Sequence, residues 1–462
     1  MSFLDVLLLA ACVFVVGWWM FASSRQKPLL RFAPALLVVL ALLQFALEGF
    51  YWQLIPAYVL ILALTLMSFL QRGEGRGFGK IVGAAGLGIL ALGAIGPFLL
   101  MYPAPYLVKP DGHYLVGTHI YRWIDTSRPE QATDDTSDKR NVVVQAWYPA
   151  AANASGPHSI YMDGLKALPD NVEGLPSFLL RSFGGIDTHG ITDAPISDDL
   201  RKWPVIVFQN GYGASRAFYT GLITQLASRG YVVLAVDNPY EAVVTQLADG
   251  SVVYTVEHFL ENDPDRTRFM KGRLDLRVED IKFVLDQIAR PDAVGPRLAG
   301  HLDLDHVAAI GHSAGGAAAA LAMDNDDRIK AAVNIDGTLY GGVSDRKIER
   351  PFLLIDSDHS ESGHSTGNEA GNRLLAAHFG GERQAWEIKH ANHFSFTDAM
   401  LYFPPPARFA VGQLMGGARG PEETQHATVQ MIDAFLRGPL TGHPEDLKAV
   451  VATYKDIVSR PE

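Results

Sequence analysis

The sequence has 462 residues, which is enough chain for two or three domains. Its formal net charge of −11 argues against a nucleic-acid-binding protein, because such a protein needs a basic face. The only cysteine, Cys12, cannot form an intrachain disulfide. Up to about residue 102 basic residues outnumber acidic ones, so the net negative charge belongs to the remainder of the chain.

Four apolar runs follow one another in the first hundred residues. They lie at about 6–22, 29–47, 51–70 and 81–101. Several approach the roughly 20 residues that a helix needs to cross a bilayer. Buried core helices are the alternative, but long and closely spaced uncharged runs favour membrane spans. The sequence therefore predicts a four-helix transmembrane region over residues 1–102, with the lipid bilayer as its partner.

The charges between the runs predict how this region is oriented. The first and third connections carry all six basic residues of the region, namely Arg25, Lys27, Arg31, Arg72, Arg76 and Lys80. The positive-inside rule places both connections in the cytoplasm. We therefore expect a multi-pass protein of the cell membrane whose large C-terminal portion is extracytoplasmic. A cleaved signal peptide is not expected, because no basic stretch precedes the first run.

Residues 103–462 are predicted to form one soluble domain in which strands and helices alternate. Strands are predicted at 141–148, 205–208, 231–236, 307–310, 329–335, 352–355 and 384–389, and helices near 216–229, 266–290, 369–379 and 422–436. Continuous apolar strands alternating with helices indicate a mainly parallel sheet with helices on both faces. This is the α/β-hydrolase arrangement. Residues 126–140 are predicted as a polar loop, and 150–200 as a cap or an ordinary irregular loop.

One stretch of this domain has the pattern of a nucleophile elbow. The strand at 307–310 leads directly into Gly311-His312-Ser313-Ala314-Gly315, and an alanine-rich helix follows. Small residues two positions before and after the serine relieve the crowding of a sharp strand-to-helix turn. We therefore predict Ser313 as a nucleophile. A second match to the pattern, around Ser365, follows a polar stretch instead of a strand, and Ser365 is predicted to be a loop serine.

A nucleophilic serine needs a base and an acid that orients the base, and in α/β-hydrolases the acid precedes the histidine in the chain. His393 lies in the loop after the last predicted strand, and His390 is its competitor. The acid is left open by position alone. Asp336 ends the strand after the elbow helix, whereas Asp356 and Asp358 end the next strand.

The oxyanion hole of this fold uses a backbone N–H after an early strand and the N–H that follows the nucleophile. The glycine-rich segment 209–215 follows such a strand. We predict that Tyr212 and Ala314 supply the two N–H groups. The alternative for residues 209–215 is a plain strand-to-helix turn.

These motifs together resemble the platelet-activating-factor acetylhydrolase family, in its plasma and type II intracellular branches. The matching stretches are 106–117, 209–219, 226–231, 311–316, 334–337 and 393–396. They occur in the same order over most of residues 105–400. One departure is Asn210, where the family commonly has histidine. Another is the predicted membrane region, which the animal enzymes lack.

The resemblance implies a triad of Ser313, Asp336 and His393, because that family takes its acid from the strand directly after the elbow helix. It also implies hydrolysis of carboxylic esters without a metal or other cofactor, in that family short or oxidised acyl chains at the sn-2 position of phospholipids. Polyester and cutin hydrolases share similar motifs. An acyltransferase with the same triad and an inactive membrane scaffold are the alternatives.

Overall fold

The computed structural model describes residues 3–21, 32–48, 54–70, 86, 88–89, 91–93, 106–168, 171–172, 175–176, 183–255, 265–362, 366–379, 381–402 and 417–460. The chain divides into two units. The N-terminal unit comprises Met1–Pro105, Pro169–Phe183 and Phe403–Arg408. The sheet unit comprises Tyr106–Leu168, Gly184–Tyr402 and Phe409–Glu462.

Three helices of the N-terminal unit correspond to the first three apolar runs. They are α1 (Phe3–Phe21), α2 (Ala33–Glu48) and α3 (Ile55–Leu70). A two-residue hairpin, Asn171–Val172 with Leu175–Pro176, belongs to the same unit. Inside the unit the fully buried Asp5 accepts a hydrogen bond from Gln44 at 3.0 Å, and Tyr58 donates to Gln44 at 2.6 Å. A polar chain therefore connects all three helices.

The sequence predicted four membrane spans in this part of the chain. Most of the fourth, 81–101, lies outside the described residues. Within the parts of the chain that the structure does describe, no helix combines the length and the apolar character needed to cross a membrane.

The sheet unit is built on a central sheet of ten strands among the described residues. They are β1 (Leu115–Pro129), β2 (Lys139–Ala150), β3 (Gly190–Thr192), β4 (Trp203–Gln209), β5 (Val232–Asp237), β6 (Leu302–His312), β7 (Ile329–Ile335), β8 (Phe352–Ser357), β9 (Arg383–Ile388) and β10 (Ile457–Ser459). Their order across the sheet is β10-β9-β8-β7-β6-β4-β5-β2-β1-β3.

Six neighbouring strands, β9-β8-β7-β6-β4-β5, are parallel. The long hairpin β1–β2 joins one side, with β2 antiparallel to β5, and β10 is antiparallel to β9 on the other side. Because parallel strands end at the same edge of a sheet, β4, β6 and β7 bring their C-terminal residues together. This edge carries the residues singled out in the sequence.

Helices cover both faces of the sheet. They are α4 (Thr220–Ser228), α5 (Arg266–Ile288), α6 (Pro291–Leu298), α7 (Ala314–Asn325), α8 (His359–Ser362), α9 (Thr366–His378), α10 (Pro421–Thr441) and α11 (Leu447–Val451). Short 3-10 helices lie at Leu165–Ala167, Arg216–Tyr219, His393–Phe396 and Asp398–Tyr402, and a small hairpin pairs Val244–Gln246 with Val252–Tyr254.

The apolar residues of each strand alternate between two cores. Val205 and Val207 of β4 pack with α5, α6 and α7 on one face, whereas Ile206 and Phe208 pack with α4 and α10 on the other. Period-two alternation puts neighbouring residues on opposite faces, and both faces are covered, so β4 is apolar from Trp203 to Phe208. The predicted mainly parallel α/β sheet with helices on both faces is confirmed.

The structure corrects the prediction at the start of the sheet unit. The polar loop predicted at 126–140 is shorter than expected, because β1 extends to Pro129 and β2 begins at Lys139. Within 150–200 the structure describes the edge strand β3 and the 3-10 helix Leu165–Ala167. A cap function for 150–200 stays a prediction.

Candidate active site

Ser313 lies at the turn between β6 and α7 with an unusual backbone conformation. Its φ is 56° and its ψ is −129°, which is outside the regions that a residue with a side chain adopts freely. Its N–H donates to the carbonyl of Ile335 at 2.8 Å. This bond fixes the turn to the end of the neighbouring strand β7. Strained conformations of this kind are typical of nucleophile elbows.

The glycines around Ser313 are required by close packing. A Cβ on Gly311 would approach the main chain of Gly315 to less than 3.0 Å. A Cβ on Gly315 would approach the carbonyl oxygens of Gln209 and Asn210 equally closely. The elbow therefore presses directly on the loop that follows β4, and larger residues would push the two apart.

Asp336 follows β7 and is also held in a left-handed conformation, with a φ of 53°. The side chain of Asn334 closes this turn, because it accepts from Gly337 N–H at 2.9 Å and donates to Gly337 O at 3.0 Å. The hydroxyl and the N–H of Ser357 donate to the Asp336 carboxylate at 2.9 and 2.8 Å. The carboxylate is thereby aimed in one direction and shielded from solvent.

His393 meets this carboxylate. Its Nδ1 lies 2.6 Å from Asp336 Oδ2, and the side chain of Asp336 is fully buried whereas that of His393 is 36% exposed. A polar turn holds the histidine in place, since the Asn392 N–H donates to the Ser395 hydroxyl at 3.0 Å and that hydroxyl donates to Asn392 Oδ1 at 3.0 Å. An imidazole with one nitrogen on a buried carboxylate and an accessible edge can act as a base.

The competing candidates have other partners. Asp356 pairs with Arg460. Asp358 accepts the backbone N–H of His390 at 2.9 Å, so this bond does not involve the His390 imidazole. Burial acts to raise the pKa of Asp358, but the hydrogen bonds from His390 and from Ser360 outweigh it and lower the pKa to about 2. Ser365, the serine of the second elbow pattern, lies outside the described residues.

The loop 209–215 lies beside Ser313. A Cβ on Gly211 would be 3.3 Å from the Ser313 Cβ, which places the main chain before Tyr212 against the serine. The Tyr212 ring packs edge-on against Phe269, with centroids 6.0 Å apart. Ala314 is the first residue of α7 and is buried. Both predicted oxyanion donors therefore belong to segments that adjoin Ser313.

Sequence reasoning missed the residues that hold this loop. Asn210 donates to the carbonyl of Ala214 and accepts from Asn238 at 3.0 Å, which closes the loop on itself and ties it to the end of β5. Arg277, fully buried in α5, donates to the Asn210 carbonyl at 2.5 Å and is held by Glu241 at 2.8 Å. The only signal in the sequence was that Asn210 departs from the family pattern.

His312, Asp336 and His393 each offer a ligand atom within 4.8 Å of the others, a spacing that could hold a metal ion. Asp336 and His393 are bonded to each other. Both ring nitrogens of His312 also have partners, the Tyr219 hydroxyl at 2.8 Å and the His393 carbonyl at 3.0 Å. His312 is thus engaged through both ring nitrogens and Asp336 is engaged with His393, which fits proton transfer better than metal binding.

Comparison with known proteins gives a family for this arrangement. The family model described as platelet-activating factor acetylhydrolase, isoform II, matches residues 106–446. This range contains Ser313, Asp336, His393 and the loop 209–215.

Individual relatives agree with the family model. A protein of Arthroderma benhamiae named probable 1-alkyl-2-acetylglycerophosphocholine esterase is 26% identical over 390 residues, which cover 74% of this chain and 94% of that protein. The platelet-activating factor acetylhydrolase of Cavia porcellus is 25% identical over 286 residues, covering 56% of this chain and 61% of that protein. A ferulic acid esterase structure from Streptomyces cinnamoneus has a TM-score of 0.65 at 23% identity and covers 78% of this chain and 100% of that one, which supports the fold.

Proposed function

Because the chain belongs to the platelet-activating factor acetylhydrolase isoform II family, we propose that it is a serine hydrolase that cleaves short acyl groups from lipid esters, in particular from the sn-2 position of phospholipids. The coarser activity, hydrolysis of a carboxylic ester, follows from the family and from the relatives named as acetylhydrolase and esterase. The observation that carries the mechanism is the strained elbow at Ser313 next to the His393–Asp336 pair.

The proposed reaction passes through an acyl-enzyme. The Ser313 oxygen attacks the ester carbonyl while His393 takes the hydroxyl proton. Because Nδ1 of His393 is bonded to Asp336, the exchange uses the other ring nitrogen, Nε2. The imidazolium then gives this proton to the leaving alcohol as the ester C–O bond breaks. Water repeats the cycle, losing its proton to His393 and releasing the acid from Ser313.

Two groups stabilise the charges that develop. Asp336 keeps the imidazole in the tautomer with a proton on Nδ1 and favours the imidazolium when it forms. The backbone N–H groups of Tyr212 and Ala314 are proposed to stabilise the oxyanion of the tetrahedral intermediate. Donors fixed in advance are effective, because they need no reorganisation as charge develops.

The relatives' names favour acetyl or other short acyl groups on a glycerophosphocholine, and that substrate class is carried over here as a proposal. Membrane anchoring, with the sheet unit on the extracytoplasmic side, also stays a proposal. It rests on the four apolar runs and the basic residues between them. Anchoring would hold the site near lipid esters and raise their local concentration. Carbonate extraction of membranes from expressing cells tests it, since an anchored chain remains in the pellet.

The first experiment compares the purified full chain with its Ser313→Ala variant on p-nitrophenyl esters of increasing acyl length. Ser365→Ala is the matched control, because it removes the serine of the second elbow pattern. We expect activity on acetate and butyrate esters that is lost only in Ser313→Ala. Equal activity of Ser313→Ala and the parent chain would refute the assignment of Ser313.

The second experiment uses phosphatidylcholines with an acetyl or a long acyl chain at sn-2, with and without an added alcohol. Release of acetate from the acetyl lipid supports the proposal. Preference for the long-chain lipid contradicts the short-acyl assignment. Transfer of the acyl group to the alcohol in preference to water would instead make the protein an acyltransferase.

A further inference from the structure

Two buried residues beside the triad have no role in the mechanism above. His312 immediately precedes Ser313 at the end of β6 and is 3% exposed. Tyr219 ends the 3-10 helix that precedes α4 and is 1% exposed. Their rings lie 5.5 Å apart, and the His312 ring lies 4.5 Å from that of His393.

Hydrogen bonds join these residues to both halves of the site. The Tyr219 hydroxyl accepts the Gly211 N–H at 3.0 Å and lies 2.8 Å from His312 Nδ1. His312 Nε2 lies 3.0 Å from the backbone carbonyl of His393. The chain of contacts therefore runs from the loop 209–215, through Tyr219 and His312, to the turn that carries the base.

The donors and acceptors along this chain fit one arrangement of protons. The hydroxyl of Tyr219 accepts from the Gly211 N–H and can donate its own proton to Nδ1 of His312. A carbonyl can only accept, so Nε2 of His312 must carry a proton and donate to His393. A neutral imidazole with its proton on Nε2 satisfies both bonds at once.

The chemistry of the pocket keeps His312 in this neutral form. Burial, and then the electrostatic effect of the neighbouring His393, lower the pKa of His312 to about 3. Burial also raises the pKa of Tyr219, so its hydroxyl keeps its proton. The hydrogen-bonded pair of Tyr219 and His312 is therefore electrically neutral and does not compete with His393 for the proton of Ser313.

We propose, on the basis of the function above, that Tyr219 and His312 are positioning residues. They fix the loop 209–215 and the base His393 relative to Ser313. Steric contact strengthens the link. A Cβ on Gly211 would lie 3.1 Å from the Tyr219 oxygen and 3.5 Å from His312 Nδ1. A shift of the Tyr219 hydroxyl is thus transmitted to the main chain next to Tyr212, and a shift of His312 to the backbone of His393.

Three substitutions separate the two ends of this chain. Tyr219→Phe removes the hydroxyl and with it both the Gly211 and the His312 bonds. His312→Asn places an acceptor near the position of Nδ1 and retains the bond from Tyr219, whereas His312→Gln places a donor near Nε2 and retains the bond to His393. Tyr231→Phe is the matched control, because it removes another buried tyrosine hydroxyl. That hydroxyl donates to Asp433 at a distance of 2.9 Å and has no bond to the triad residues.

The test measures kcat, KM and the urea midpoint of each variant on p-nitrophenyl acetate. Misplacing reacting groups by a fraction of an ångström costs rate more than binding, so we expect Tyr219→Phe to lower kcat about 10- to 100-fold with KM nearly unchanged. Tyr231→Phe is expected to lower the urea midpoint similarly and to keep the parent kcat. The double variant Tyr219→Phe/His312→Gln is expected to be no slower than the slower single variant, because both break the same chain.

Other outcomes would overturn this proposal without touching the proposed function. If the parent chain is active through Ser313 but Tyr219→Phe, His312→Asn and His312→Gln all keep its kcat, the two residues are only part of the core. The same conclusion follows if the control Tyr231→Phe also loses kcat in proportion to the fall in its urea midpoint. If Tyr219→Phe does not fold, the kcat of His312→Asn decides, since this variant keeps the Tyr219 bond and loses the bond to the His393 carbonyl. A lower kcat supports the proposal, and the parent kcat overturns it. A parent chain that is inactive on every ester fails the proposed function instead.

Discussion

At the scale of single residues, hydrogen bonds distribute three carboxylates at two neighbouring strand ends among different partners. Asp336 receives His393 and Ser357, Asp356 receives Arg460, and Asp358 receives the N–H of His390. Position along the chain could not decide among them, because parallel strands deliver all three to the same edge. The turn that the Asn334 side chain closes at Gly337 aims the Asp336 carboxylate at His393.

Replacing Asp336 with Asn tests this arrangement. The amide keeps the shape of the side chain, but it can present an N–H to His393 Nδ1 and favour the wrong tautomer. Such a change costs about 10⁴-fold in kcat in a well-characterised triad. We expect a loss of about 10³- to 10⁴-fold in Asp336→Asn, measured as kcat on p-nitrophenyl acetate.

Asp358→Asn is the control for this prediction. It makes the same chemical change at a carboxylate that is buried, directly follows β8 and accepts the His390 N–H. We expect its kcat to stay within a few-fold of the parent. If Asp358→Asn were the inactive variant and Asp336→Asn the active one, the acid assigned here would be wrong.

At the scale of elements, the strand-to-helix turn at Ser313 depends on the absence of side chains. The Gly315→Ala methyl would meet the carbonyl oxygens of Gln209 and Asn210. These atoms belong to the main chain and cannot rotate away. The loop 209–215 must therefore move relative to the elbow, which links the local sequence pattern to the geometry of the proposed oxyanion donors.

We predict that Gly315→Ala lowers stability by about 1–3 kcal/mol through overpacking. We also expect kcat to fall about 100-fold, because the loop that carries Tyr212 is displaced. Gly272→Ala is the control. Gly272 lies exposed in α5, and a methyl group there meets no atom within 4 Å, so it should stabilise the helix by about 0.5–1 kcal/mol. Urea unfolding and ester kinetics on both variants check the pair, and an unimpaired Gly315→Ala would contradict the packing argument.

The elements differ in how well the sequence predicted them. Ile329–Ile335 was predicted with its observed bounds, and the strand before Ser313 was recognised, because buried parallel strands are continuous apolar runs. The long strand β1 was missed. Its outer half, Arg122–Pro129, is rich in polar residues and pairs with β2 at one side of the sheet, so its pattern resembles a loop. Tertiary pairing decided its structure.

The candidate site shows the same division. Ser313 and His393 could be predicted as candidates from motif and chain order, since both follow from how the fold places strand ends. Asn210, Arg277, Tyr219 and His312 could not, because their contacts join residues as much as 93 positions apart. Side chains that meet only in the folded protein leave no local pattern.

At the scale of the whole molecule, one buried carboxylate joins four distant segments of the sheet unit. Asp398 Oδ1 accepts from the Gly221 N–H at 3.2 Å and from Gln425 at 3.1 Å, and Oδ2 accepts from the Tyr161 hydroxyl at 3.1 Å. Asp398 is fully buried. Burial raises its pKa to about 7, although the hydrogen bonds from Gly221, Gln425 and Tyr161 act in the opposite direction.

This raised pKa predicts a loss of stability as the pH rises. Between about pH 4 and pH 7 the folded protein holds a proton on Asp398 that the unfolded chain has released. Stability therefore falls over this range as pH increases and levels off above pH 7. A shift of the Asp398 pKa from its ordinary value of 3.8 to about 7 corresponds to at most about 4 kcal/mol at about 1.4 kcal/mol per pKa unit.

Asp398→Asn isolates this contribution, because the amide is neutral at every pH and can still accept from Gly221 and Gln425 and donate to Tyr161. We expect its free energy of unfolding, measured with urea from pH 5 to pH 8, to rise relative to the parent by a few kcal/mol as the parent is forced to bury a charge. Asp358→Asn is expected to differ from the parent by a constant amount, because the pKa of Asp358 is about 2 and that group does not titrate in this range. A constant difference for Asp398→Asn as well would mean that Asp398 is already ionised at pH 5, and that its three hydrogen bonds outweigh its burial.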